Sequence, residues 1–147
     1  MRTLLLAMFA AVSAAAASDV TLDFKKQISG APPVTSAHSY DAHVTLMIEN
    51  ADGTTTPSGW STRKENGGDG RPFAFTPGKN LIEGWSRGVL KMKEGERALI
   101  HVPAALGYGS KAQGSKGGAW YIPASSNLLF DIEILGITGR KHAASEL

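Results

Sequence analysis

Gly84-Trp85-Ser86-Arg87-Gly88 has the G-x-S-x-G spacing that presents a serine nucleophile when it forms a tight turn between a buried strand and a helix. The context does not fit, because the residues ahead of Ser86 read as helix and no buried parallel strand leads into it. Gly78-Lys79-Asn80 resembles a phosphate loop only superficially: the spaced second glycine and the following Ser or Thr are absent. His38, His43, His101 and His142 lack the spacing of a metal-ligand pair, and Asp131 and Glu133 fall on the polar side of a strand. With no cysteine in the chain, thiolate catalysis and cysteine-based zinc sites are excluded. No residue pattern calls for a metal or cofactor. What remains is a set of aromatics, Phe73, Phe75, Trp85, Tyr108, Trp120, Tyr121 and Phe130. Aromatic residues are most often core, yet Tyr108 lies within Leu106-Gly107-Tyr108-Gly109-Ser110, a glycine-flanked loop in which a ring needs a surface to pack on.

The elements that must hold these rings can be read from periodicity. Val20, Leu22 and Phe24 alternate with polar residues, as do Ala42, Val44, Leu46 and Ile48, which is the period of half-buried strands. Asp52-Gly53 ends the second strand, and residues 54–71, rich in Gly, Ser, Thr, Asn and Asp, read as a long loop. Phe73 and Phe75 alternate again. Asn80 with Glu83 three residues later predicts a helix start, and Leu81, Ile82, Trp85 and Val89 share one face. Gly84 and Gly88 weaken that helix by ~1 kcal/mol each relative to alanine, so packing must stabilise it. Ala98 to Val102 predicts a strand buried on much of both faces, residues 104–123 a second long loop, and Leu128, Phe130, Ile132 and Ile134 a last strand. The absence of strand-helix-strand alternation predicts an α+β fold, an antiparallel sheet over one short helix.

The 147 residues and 42% hydrophobic content allow one domain. A formal charge of +2 without a basic stripe argues against a nucleic-acid or membrane-surface partner. Residues 1–17 read as a cleavable signal peptide: Arg2 gives the positive start, Leu4 to Val12 the apolar run, and Ala14 to Ala17 the small residues before the cut. That run is about half of what spans a bilayer, so no membrane anchor is expected. The predicted organisation is a leader over 1–17, a strand and lead-in over 18–41, one domain over 42–137, and a polar tail over 138–147. Ala144-Ser145-Glu146-Leu147 shares only its last two residues with a K-D-E-L retrieval signal, and is read as part of that tail.

The order of short motifs resembles that of FKBP-type peptidyl-prolyl isomerases. They are Pro72-Phe73-Ala74-Phe75, Ile82-Glu83-Gly84-Trp85 with Gly88-Val89, Met92 with Gly95-Glu96-Arg97-Ala98, Gly107-Tyr108-Gly109, Ile122-Pro123, and Leu129 to Leu135. The resemblance implies a twisted antiparallel half-barrel wrapped around one short helix. It also implies rotation about X-Pro bonds, a barrier of ~18–20 kcal/mol set by C–N resonance, with no acid, base or nucleophile required. A twisted imide has lost its charge separation, so a dry apolar pocket favours it over the planar ground state. By that resemblance Trp85 is the floor under the proline ring, and Phe73, Leu81, Ile82, Ile122 and Phe130 are walls. Tyr108 donates its hydroxyl, and Ile82 its backbone N–H, to substrate carbonyls. Two places depart from the family's pattern: Leu46 stands where the family has a tyrosine, and the family's Phe-Asp pair is missing. A gapless alignment puts Thr56-Pro57 at that pair, and one with a longer loop puts Trp60-Ser61 there, which keeps an aromatic wall through Trp60. Either way the aspartate is lost, which implies a lowered rate and weakened affinity for the family's macrolide inhibitors. The expected partners are proline-containing client polypeptides, met by a monomer in the endoplasmic reticulum lumen, periplasm, plastid lumen or outside the cell. The alternative is a proline-binding or chaperone module of the same fold without catalysis.

Overall fold

In the computed structural model residues 19–140 are described; the predicted leader, residues 141–147 of the tail and His142 lie outside them. Two long strands carry the sheet because their apolar residues fall at every second position. In β2 (Tyr40–Glu49) the side chains of Tyr40, Ala42, Val44, Leu46 and Ile48 are buried, and in β8 (Asn127–Ile137) those of Phe130, Ile132 and Ile134. They pair antiparallel along their length, with Leu46 opposite Phe130. β5 (Arg97–Val102) pairs with the other edge of β8, and β1 (Thr21–Lys26) with β5. β3 (Thr55–Ser61) and β4 (Phe73–Phe75) both pair with β2, giving the order β1-β5-β8-β2-β3 with β4 beside the first residues of β2. The helix α1 (Glu83–Val89) packs into the curl of this sheet through Gly84, Trp85, Gly88 and Val89. A separate two-stranded hairpin pairs β6 (Gln113–Gly114) with β7 (Tyr121–Ile122).

The expected α+β architecture is therefore present, with four local corrections. Residues 54–71 are not one loop, because they contain β3 and a 3-10 turn at Lys64–Asn66. Their turn-like composition suits an edge strand, in which only Ser58 is buried and its hydroxyl donates to the Leu46 carbonyl at 2.6 Å. Residues 104–123 likewise hold a 3-10 turn at Ala104–Leu106 and the β6–β7 hairpin. The helix starts later than Asn80: Asn80 adopts φ 55°, a left-handed conformation that asparagine tolerates, and Ile82 is the N-cap without a side-chain cap. β5 is buried on one face only; Ala98, Ile100 and Val102 point inward, and Leu99 and His101 lie on the outer face.

That outer face is laced by ions. Arg97 donates two bonds to Asp131, at 2.9 and 2.8 Å, and Glu133 accepts from Lys26 at 2.9 Å and Arg63 at 2.8 Å. His101 bridges two strands, with Nδ1 2.8 Å from Glu49 and Nε2 2.8 Å from Asp23. Both nitrogens can donate only in the imidazolium form. Burial works against that charge, but the bonds to Asp23 and Glu49 outweigh it and hold the His101 pKa above its usual value. The contribution of this bridge to stability is thus fully present below the unfolded-state pKa of ~6.5 and is lost as pH rises through the higher folded value. His43 has the opposite tendency, lowered by burial and by Arg63, so the bridge is read as a difference between proteins. Wild type should exceed His101→Asn in urea-unfolding free energy by about 0.5–1 kcal/mol at pH 5.5, and the gap should narrow as pH rises through the raised folded-state pKa. A gap that widens with pH would contradict the assignment.

Candidate functional site

The inner face of the sheet and the helix enclose a cavity of about 230 Å³ lined by Leu46, Trp60, Phe73, Asn80, Leu81, Ile82, Trp85, Tyr108, Trp120, Ile122 and Phe130. Every residue predicted for the site lines it. β2 supplies Leu46, β3 Trp60, β4 Phe73 and β8 Phe130; α1 and the turn before it supply Leu81, Ile82 and Trp85. The loop after β5 brings Tyr108, and β7 brings Ile122.

Trp85, 6% exposed, sits at the centre of the rings. Its centroid lies 5.2 Å from that of Phe130, 5.5 Å from Phe75, 5.6 Å from Phe73 and 6.2 Å from Trp60. Trp60 in turn meets Phe73 edge to face at 5.8 Å. These tilted contacts suit the ring quadrupoles and lock the indole plane in place. The helix can bring Trp85 this deep because Gly84 and Gly88 face β5. A Cβ at Gly84 would lie 2.2 Å from Val102 Cγ1, and one at Gly88 2.7 Å from Ile100 Cγ2.

Two polar groups belong to this apolar lining besides the Asn80 amide. Ile82 has extended backbone at the head of α1, and its N–H has no acceptor among the described residues. Tyr108 is half-buried, and burial raises the pKa of its phenol, so the hydroxyl stays protonated and can donate. Tyr108 is the one lining side chain among the described residues that titrates, and it does so far above neutrality.

Ser86 is placed on α1 as expected for a structural residue: its hydroxyl accepts from the Gly78 N–H at 2.9 Å, and no strand leads into it. Of the residues that the two alignments place at the missing Phe-Asp pair, Trp60 lines the cavity and Thr56, Pro57 and Ser61 do not. Ser61 bonds Thr45 at 2.7 Å, and the described lining of the cavity includes no carboxylate.

Trp120 and Asn80 are lining residues that sequence reasoning did not assign to the site. Trp120 is 41% exposed at the cavity mouth, on the chain leading into β7. Its approach depends on Gly59 of β3, at φ 93°, where a Cβ would fall 2.2 Å from the Ala119 carbonyl oxygen. Two glycine-spaced segments far apart in sequence thus close the mouth, and nothing in either segment alone signals it. A larger recess of about 320 Å³ at Asp19, Thr21, Glu49, His101, Val102, Pro103 and Asn127 mixes charged and apolar groups and carries no Phe, Tyr or Trp.

A short helix seated in a curled antiparallel sheet thus holds a tryptophan-floored pocket whose lining, among the described residues, is apolar apart from Asn80, the Tyr108 hydroxyl and the Ile82 N–H. The chain belongs to the FKBP-type peptidyl-prolyl cis-trans isomerase family, whose model matches residues 31–135. It is 30% identical over 135 residues to the mouse peptidyl-prolyl cis-trans isomerase FKBP2, covering 91% of this chain and 87% of that one. FK506-binding protein 2 of Dictyostelium discoideum is 44% identical over 69 residues, 46% of this chain and 48% of that protein. Several other relatives match over a similar stretch, so the chain spans about half the length of many curated relatives it matches. Among solved structures, the crystal structure of AtFKBP13 superposes with a TM-score of 0.65 at 28% identity, covering 81% of this chain and 93% of that one.

Proposed function

We propose that this protein catalyses cis-trans rotation of X-Pro peptide bonds in client polypeptides, with the proline ring seated on Trp85. The observation that supports this best is the ring-floored cavity bounded by one phenol and one unpartnered backbone N–H. Phe73, Leu81, Ile122, Phe130 and Trp60 enclose the ring and keep water away. In the planar imide, resonance places negative charge on oxygen and positive charge on nitrogen. A quarter-turn about C–N removes that separation, so an apolar enclosure costs the twisted state less than the planar one. Tyr108 and the Ile82 N–H hold the flanking carbonyls, which fixes the chain on either side of the rotating bond. No bond is broken and no proton has to be taken up, in keeping with a lining free of acid-base pairs.

The test is isomerisation of a proline-containing peptide by the purified protein. Tyr108→Phe, which deletes one donor and keeps the ring, should lower kcat/KM by roughly 2- to 10-fold, the equivalent of a ~0.5–1.5 kcal/mol hydrogen bond. Rates equal to the uncatalysed reaction would overturn the proposal. They would leave the second reading, a proline-binding module without turnover, which Leu46 and a cavity edge without a lining carboxylate favour. The same edge supports weakened binding of macrolide inhibitors.

We also propose that residues 1–17 are removed and that the mature domain works in a secretory or organellar lumen as a monomer. Support comes from the charge and apolar pattern of the first 17 residues. Protein recovered from such a compartment with residue 1 intact would contradict it.

A further inference from the structure

Beside the proline pocket lies a second groove, of about 390 Å³, lined by Ser39, Phe73, Ala74, Phe75, Thr76, Lys79, Asn80, Leu81 and Thr138. Phe73, Asn80 and Leu81 line both cavities, so a ridge of three residues is all that separates them. The strand that forms one wall, β4, pairs with β2 along one edge, and no other strand among the described residues pairs with it. The groove is walled with hydroxyls and backbone as well as rings. Ser39 and Thr76 share a hydrogen bond at 2.5 Å, and Thr138 donates to Asp41. Its one cationic lining group is Lys79, exposed on the turn before α1. The backbone N–H of Lys79 closes that turn onto Thr76, and its ammonium has no ion pair among the described residues.

We propose that this groove is a specificity subsite for the client chain, in which Lys79 recognises an acidic side chain close to the proline. The inference rests on the isomerase reading of the neighbouring pocket. A client whose proline rests on Trp85 has two ways out. One runs under Trp120 and Tyr108, and the other crosses the Phe73–Leu81 ridge into the groove. An extended chain advances ~3.3–3.6 Å per residue, so the ridge is crossed in a residue or two and the next side chains come within reach of a flexible lysine. The open edge of β4 and the hydroxyls of Ser39, Thr76 and Thr138 offer polar contacts to the client backbone without regard to sequence. Lys79 adds the sequence preference, by charge.

The experiment measures binding and isomerisation of a proline peptide series in which Glu, Gln or Lys is placed in turn at each of the positions flanking proline. Binding is read by tryptophan fluorescence, so the preference is visible even if turnover is absent. In wild type at low salt, Glu at one position on one side of proline should be favoured over Gln by roughly two- to fivefold, as for an exposed ion pair. The preference should shrink as salt is added. It should vanish in Lys79→Gln and turn into a preference for Lys in Lys79→Glu, with the all-Gln peptide handled equally by all three proteins. No preference at any position overturns the proposal, as does one that survives in Lys79→Gln. Failure of the isomerase reading looks different: the all-Gln reference peptide would be bound but not accelerated.

Discussion

Trp85→Ala is expected to lower kcat/KM for a proline peptide by roughly 10- to 100-fold. The substitution removes the surface on which the proline ring loses its contact with water, worth ~1.5–3 kcal/mol for a buried apolar group. It should also destabilise the fold. Deleting a buried tryptophan costs ~3–5 kcal/mol, since four neighbouring rings lose their partner. Part of this is returned, because the indole Nε1 is buried with no hydrogen-bond partner and its loss removes an unsatisfied donor worth ~1–3 kcal/mol. The packing loss is the larger of the two, so a net destabilisation of ~1–3 kcal/mol should appear in urea unfolding. Trp85→Phe separates the contributions: it keeps a ring, discards the unpaired N–H, and should stay nearer to wild type in stability. Wild-type kcat/KM in the alanine variant would mean that proline does not sit on this ring.

Gly84→Ala tests how the helix delivers that ring. Helix propensity favours alanine by ~0.8–1 kcal/mol, and on a solvent-facing helix the change would stabilise. Here the new methyl would meet Val102 Cγ1 at 2.2 Å, and overpacking of a close-packed core costs ~1–3 kcal/mol. The overpacking outweighs the propensity gain, and Gly84→Ala combined with Gly88→Ala should destabilise by up to ~4 kcal/mol in total while kcat/KM falls as Trp85 is lifted. Val102→Ala makes room for the methyl of Gly84→Ala, so a double-mutant cycle should show coupling between the two sites. A Gly84→Ala protein more stable than wild type would refute the close approach.

These two glycines show what could be read from sequence. Their cost to an isolated helix is evident from propensity, and the need for compensating packing follows, but the partner residues Val102 and Ile100 come from a strand a dozen or more residues later. The strict alternation in β2 and β8 made the central strands legible. β3 was not, because Thr55 to Ser61 reads as turn and only the pairing with β2 extends it. Asn80 looked like a cap because its spacing to Glu83 is right, and spacing carries no record of φ. The pocket's walls were legible through the family resemblance, which also carried the expectation for Trp60. Trp120 was not, because its place depends on the contact of the Ala119 backbone with Gly59, some sixty residues earlier.

The order of strands also bears on how the chain must acquire its structure. The last of the described strands, β8, lies between β5 and β2, and through Phe130 it contributes a wall of the pocket. Until Asn127 to Ile137 has emerged, β2 and β5 have no neighbour to join them, and their apolar faces stay open. Closure then waits on contacts between residues some 90 positions apart, a slow step for any antiparallel sheet. The growing chain is thus held back from premature folding by its own topology.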